Sequence, residues 1–84
     1  MTRRRSTAPA RLLSITRDPT RGLGMLRGPA ADRAAWLLSP DDEPPRWSSS
    51  ARGWVVSLRV ADDATGWGQL VGAIVTVRDV EPSP

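Results

Sequence analysis

The most regular pattern in the chain runs from Gly53 to Leu58, where Trp54, Val56 and Leu58 alternate with Val55 and Ser57. A period of two predicts a half-buried strand. Arg46 to Ser49 predicts its hairpin partner, joined through Ser50-Ala51-Arg52, with Trp47 across from Trp54. Ala73 to Val80, rich in Val and Ile, predicts the final strand. Leu12 to Thr16 predicts the first, and Asp18-Pro19-Thr20 is a turn signal. Leu23 to Leu26 reads either as a second strand, making a hairpin, or as an irregular loop, because Gly22, Gly24 and Gly28 interrupt it.

Two segments carry helical spacing instead. Pro29 after Gly28 suits a first helical position. Ala31, Ala34, Ala35 and Leu38 then share a face, widened by Trp36 and Leu37, until Ser39-Pro40 ends the helix. Asp62 or Asp63 is expected to cap a second helix running to about Val71, with Ala64, Trp67, Leu70 and Val71 as its apolar stripe. Gly66 and Gly68 inside it each cost nearly 1 kcal/mol of propensity. Gly72 suits the position just past its end. The expectation is an α+β fold, a small four- or five-stranded, largely antiparallel sheet with two short helices packed on one face. Depending on register, the other face would carry Ser57, Arg59, Thr76 and Arg78. Residues 11–80 form the expected single domain, and residues 1–10 and 81–84 have the composition of unfolded tails.

Composition narrows the chemistry. An 84-residue chain builds a thin core and does not favour a large enclosed pocket. His and Cys are absent, which excludes Cys/His zinc sites, thiol chemistry, a Ser-His-Asp triad and disulfides. Lys, Tyr and Phe are missing too, so the expectation is a protein that binds rather than catalyses, with no cofactor and no metal. Using Arg to the exclusion of Lys, beside much Ala, Gly and Pro, fits codon bias in a GC-rich genome. Charge is uneven. Residues 1–27 carry Arg3, Arg4, Arg5, Arg11, Arg17, Arg21 and Arg27 against Asp18, a net +6, whereas residues 28–84 sum to −3. The basic front reads either as a solubilising tail or as a holder of phosphates.

Other motifs are weaker. Asp41-Asp42-Glu43 lies in a Pro-rich loop and Asp62-Asp63 at an expected helix start, so neither predicts a metal or catalytic pair. Gly22-Leu23-Gly24 and Gly66-Trp67-Gly68 lack what a phosphate loop needs. The four Trp are the only aromatics. Trp36 and Trp67 are expected in the core. Trp47 and Trp54, beside Arg46 and Arg52, fit either cross-strand packing or base stacking with phosphate contacts. Ser48-Ser49-Ser50 reads as a set of phosphate donors or as a polar hairpin tip.

Arg46-Trp47-Ser48 followed by Gly53-Trp54-Val55-Val56, a short helix, Gly72 and a Val-rich strand resembles small proteins of actinobacterial phages and plasmids. More faintly, the same pattern resembles the accessory domain that precedes the motor in annealing helicases. The resemblance spans roughly residues 30–80 and implies an association with nucleic acid through Arg46, Trp47, Ser48, Arg52 and Trp54. Two functions follow. One is a phage or mobile-element protein that binds a protein partner, either a host enzyme or a second copy in a homodimer. The other is an accessory module that binds DNA or RNA through Arg3, Arg4, Arg5 and the Trp hairpin. The longest apolar runs, Ala34 to Leu38 and Ala73 to Val75, are too short to span a bilayer, so no membrane association and a cytoplasmic location are expected.

Overall fold

The computed structural model describes residues 11–80. The elements run β1 (Leu12–Asp18), β2 (Leu23–Arg27), α1 (Ala31–Leu38), β3 (Arg46–Ser48), β4 (Gly53–Ser57), α2 (Leu58–Leu70) and β5 (Ile74–Asp79). The strands make one five-stranded sheet in the order β3-β4-β2-β1-β5, antiparallel except where β5 runs parallel to β1. Both helices lie on the same face, so the expected α+β architecture is present with five strands. The expected tails, with Arg3, Arg4 and Arg5, lie outside the described residues.

The glycines around Leu23 do not break the chain. Residues 23–27 pair with β1 in unbroken register from Asp18 opposite Leu23 to Ser14 opposite Arg27, which makes the segment a strand and the pair a hairpin. Gly24 has a packing role. A Cβ there would collide with the Cβ of Ala61 on α2, so glycine lets the helix rest on the sheet. Gly68 does the same at the other end of α2, where a Cβ would come within 2.6 Å of Val75 Cγ2.

Small residues set the whole core. Leu13, Ile15 and Leu26 are its largest fully buried side chains, and Ala31, Ala34, Ala35, Val56, Val60, Ala61 and Ala64 complete it. Each of the three large side chains contributes about 1.5–3 kcal/mol by leaving water. The alanines contribute less area but bring the helix backbones close to the strands.

Both helices depart from the expected boundaries. α1 begins at Ala31, with Ala30 in the capping position and Pro29 before it. Its buried residues are Ala31, Ala34 and Ala35. Trp36 and Leu37 do not widen that stripe: they are 55 % and 61 % exposed, because they project past the narrow alanine face. α2 begins at Leu58, not near Asp62. Ser57 is the cap, its Oγ accepting the Val60 N–H at 3.2 Å. β4 therefore passes into α2 without a loop, and Leu58 leaves the alternating pattern that included it. The earlier start also rotates the buried face. Val60, Ala61, Ala64 and Gly68 point inward, while Leu70 is 86 % exposed. The C-terminal end is as expected. Gly72, at φ +79°, lets its own N–H reach the Gln69 carbonyl and the Ala73 N–H reach the Gly68 carbonyl.

One polar device ties three elements together. Arg17 of β1 sits in a helix-facing row, where its Nε donates to Asp62 Oδ1 of α2 at 2.7 Å. A terminal guanidinium nitrogen donates to Asp79 of β5 at 2.8 and 3.0 Å. The hydrogen bond from Asp62, then that from Asp79, raises the affinity of Arg17 for its proton above the ordinary arginine value.

Two glycines of opposite character test this packing. Gly24→Ala should destabilise the fold by about 1–3 kcal/mol through overpacking against Ala61. Gly66→Ala, on an exposed helix position with nothing near its Cβ, should stabilise by up to about 1 kcal/mol. Urea unfolding followed by far-ultraviolet circular dichroism measures both.

Candidate interaction surfaces

Register assigns every strand residue to a face. Directly paired residues point the same way. Trp47, Trp54, Leu26, Ile15 and Val77 form one row across the sheet, on the helix side with the core. Arg46, Val55, Met25, Thr16 and Arg78 form the adjacent row, on the open side. The predicted hairpin residues are thus divided: Arg46 and Trp47 project from opposite faces of β3.

The tryptophans gather into a chain on the helix side. Trp54 is half-buried and meets Trp36 of α1 edge-on at 5.5 Å between ring centroids. On its other flank it meets Trp47 at 5.2 Å, again edge-on. The expected cross-strand contact between Trp47 and Trp54 is present. Trp36 was expected in the core and instead caps the outside of this row. Trp67 is half-buried against the core, as expected. It also lines a groove of about 380 Å³ with Leu37, Val71, Arg11 and Arg33. Trp36 and Trp47, each 55 % exposed, make the rim of the sheet apolar beside β3.

The open face has the opposite character. It carries no aromatic side chain among the described residues. Arg27, Arg46 and Arg78 stand on it, and Arg21 borders it from the β1–β2 turn. Asp18 is its one acid among the described residues and lies 3.8 Å from Arg21. A depression of about 320 Å³ runs among Arg21, Met25, Arg27, Val55 and Arg78. Arg46 and Arg78 stand four strand spacings apart, about 19 Å. Ser57 and Thr76 are on this face as expected. Arg59 is not, because the early start of α2 moves it onto the helix. The acids Asp32, Asp62 and Asp63 lie on the helices, Asp41, Asp42 and Glu43 on the loop after α1, and Asp79 on the helix side of β5, so the open face is cationic although residues 28–84 sum to −3.

Two of the three serines, Ser48 and Ser50, are engaged within their own turn. Ser48 Oγ accepts the Ala51 N–H at 3.3 Å and lies 3.4 Å from Ser50 Oγ. Arg52 occupies the same turn at φ +56°. Among the described residues, no group of three His, Cys, Asp or Glu could hold a metal ion.

Which strand forms the sheet's exposed edge is set by topology and not by local sequence. β5 is an edge strand whose outer side pairs with nothing among the described residues. Ile74 and Val77 are 43 % and 44 % exposed on it, with Leu70 and Val71 exposed at the end of α2 nearby. The Val-rich run was legible as a strand, but its place at the edge depends on pairing with β1 some sixty residues earlier.

Comparison with known proteins finds no matching family, no curated relative and no solved structure. The resemblance carried by Arg46-Trp47-Ser48 and Gly53–Val56 gains no support from it, and the surfaces rest on their geometry.

The Trp row should be energetically coupled. A double-mutant cycle with Trp47→Ala and Trp54→Ala should give an interaction of about 0.5–1.5 kcal/mol. Chemical unfolding of the four proteins measures it, and additive effects would make Trp47 a bystander.

Proposed function

We propose that this chain is a small binding protein that acts through protein–protein interaction rather than catalysis. The observation that carries the reading is the outer edge of β5, which pairs with nothing among the described residues. It runs six residues, opens with four β-branched side chains in Ile74-Val75-Thr76-Val77, contains no Pro, and carries its charges, Arg78 and Asp79, only at its end. Isolated proteins ordinarily blunt such an edge, and strand addition is a common means of protein recognition. The missing His, Cys, Lys and Tyr support binding over chemistry. No helix among the described residues is long and apolar enough to cross a membrane. Phage or mobile-element origin and a cytoplasmic setting belong to the same reading, supported by residue usage and by the sequence resemblance.

A photo-crosslinking residue at Thr76 in the full-length chain tests the reading in cells. Protein adducts should form at Thr76, weaken when Val77→Lys is added, and be scarce from a control site at Asp32. Equal labelling at both sites, or none at Thr76, would count against the edge.

A second reading is favoured by the four arginines around the open face, where phosphates of DNA or RNA would bind. Base stacking is not part of it, since the tryptophans project from the other side. Binding should weaken steeply between about 50 and 200 mM salt. Arg46→Ala with Arg78→Ala should lower the salt slope by about 2. Filter binding with labelled single- and double-stranded DNA and RNA measures this, and no binding at 50 mM removes the reading.

A further inference from the structure

The two edges of the sheet are protected unequally. β3 is three residues long and follows directly on Pro44-Pro45, both common ways of discouraging strand addition. β5 has neither protection. Its pairing with β1 is continuous from Leu12 opposite Ile74 to Arg17 opposite Asp79, so no bulge twists it away. The direction of its hydrogen-bonding groups follows from two bonds. The Ile74 N–H donates to the Arg11 carbonyl, and the Val80 N–H to the Arg17 carbonyl. Even-numbered residues of β5 therefore face β1, and Val75, Val77 and Asp79 direct N–H and C=O outward.

We infer that the β5 edge receives β5 of a second copy of this chain, antiparallel, about a two-fold axis at Thr76. The inference rests on the protein-interaction reading and names the partner. Self-complementarity selects the occupant. Centred on Thr76, the axis sets Val75 opposite Val77 in both halves, each a hydrogen-bonded pair formed by outward-facing residues. Thr76 meets Thr76, Ile74 meets Arg78, and no like charges oppose one another. Moving the axis to Val77 would set Val75 against Asp79, and moving it to Arg78 would oppose two arginines. Asp79 is held by Arg17, which it shares with Asp62, and in this register it lies opposite Ala73 at the end of the pairing rather than opposite another acid. The product is a ten-stranded sheet whose open face joins two cationic surfaces. A contact of this size lies at the small end of interfaces, with a dissociation constant on the order of 1–100 μM.

The absence of Cys from the chain makes the axis directly testable. Across it, Thr76 forms a non-hydrogen-bonded pair with Cα atoms about 4.5 Å apart, within the range a disulfide spans. Ile74 is roughly 14 Å from its own copy. Full-length Thr76→Cys should thus crosslink to itself under mild oxidation at least tenfold faster than Ile74→Cys. Sedimentation equilibrium of the unaltered chain should show twice the monomer mass as concentration rises through about 1–300 μM. Val77→Pro, which removes an outward donor only, and Val77→Lys should both remain single while keeping the parent circular dichroism. A single mass throughout, or crosslinking no faster at Thr76 than at Ile74, overturns the self-pairing. If photo-adducts at Thr76 then join a different protein, the interaction reading survives without the second copy. If no adducts form either, both fall.

Discussion

The close approach of α2 to the sheet is the constraint on which the rest depends. With Leu13, Ile15 and Leu26 as the largest fully buried side chains, a core of this size cannot fill a wide gap between layers. Gly24 beneath Ala61, and Gly68 beside Val75 and Leu13, remove the atoms that would hold the layers apart. Once α2 is seated, Asp62 comes within reach of Arg17, and Arg17 reaches Asp79 on the last strand. Alanines on α1 then complete the same thin layer. The larger apolar residues that find no room, Trp36, Leu37 and Leu70 among them, are left at the surface.

That division explains how much could be read from sequence. Strand alternation in β4, the Val-rich β5 and the turn at Asp18-Pro19 depend on local chemistry, and the fold class was legible from them. The start of α2 was not, because Leu58 fits a period-two strand as well as a first helical turn. The Ser57 cap decided it. Nor were the exposures of Trp36 and Leu70. Large apolar side chains at helical spacing normally point inward, but here small residues form the tighter interface and the large ones sit outside it. Gly24 looked like an interruption of a strand because its partner, Ala61, is far away in sequence.

The hairpin singled out in the sequence is divided by its own pleat. Arg46, Trp47, Arg52 and Trp54 do cluster on one hairpin, but neighbouring residues of a strand face opposite ways. The pairing of Trp47 with Trp54 fixes the tryptophans on the helix side and sends Arg46 to the open side. Arginines distant in sequence, Arg21, Arg27 and Arg78, join it there through the register of four strands. The result is a molecule with its exposed tryptophans and its arginine face on different sides of the sheet.

The parallel pairing of β1 with β5 also orders events during synthesis. Leu12 pairs with Ile74 some sixty residues later, so β1 is made well before its outer neighbour. In the strand order β3-β4-β2-β1-β5, β5 is what lies on the outer side of β1. Arrival of β5 covers that edge and moves the exposed backbone one strand outward. The sheet without β5 and the sheet with it therefore present different strands at this edge.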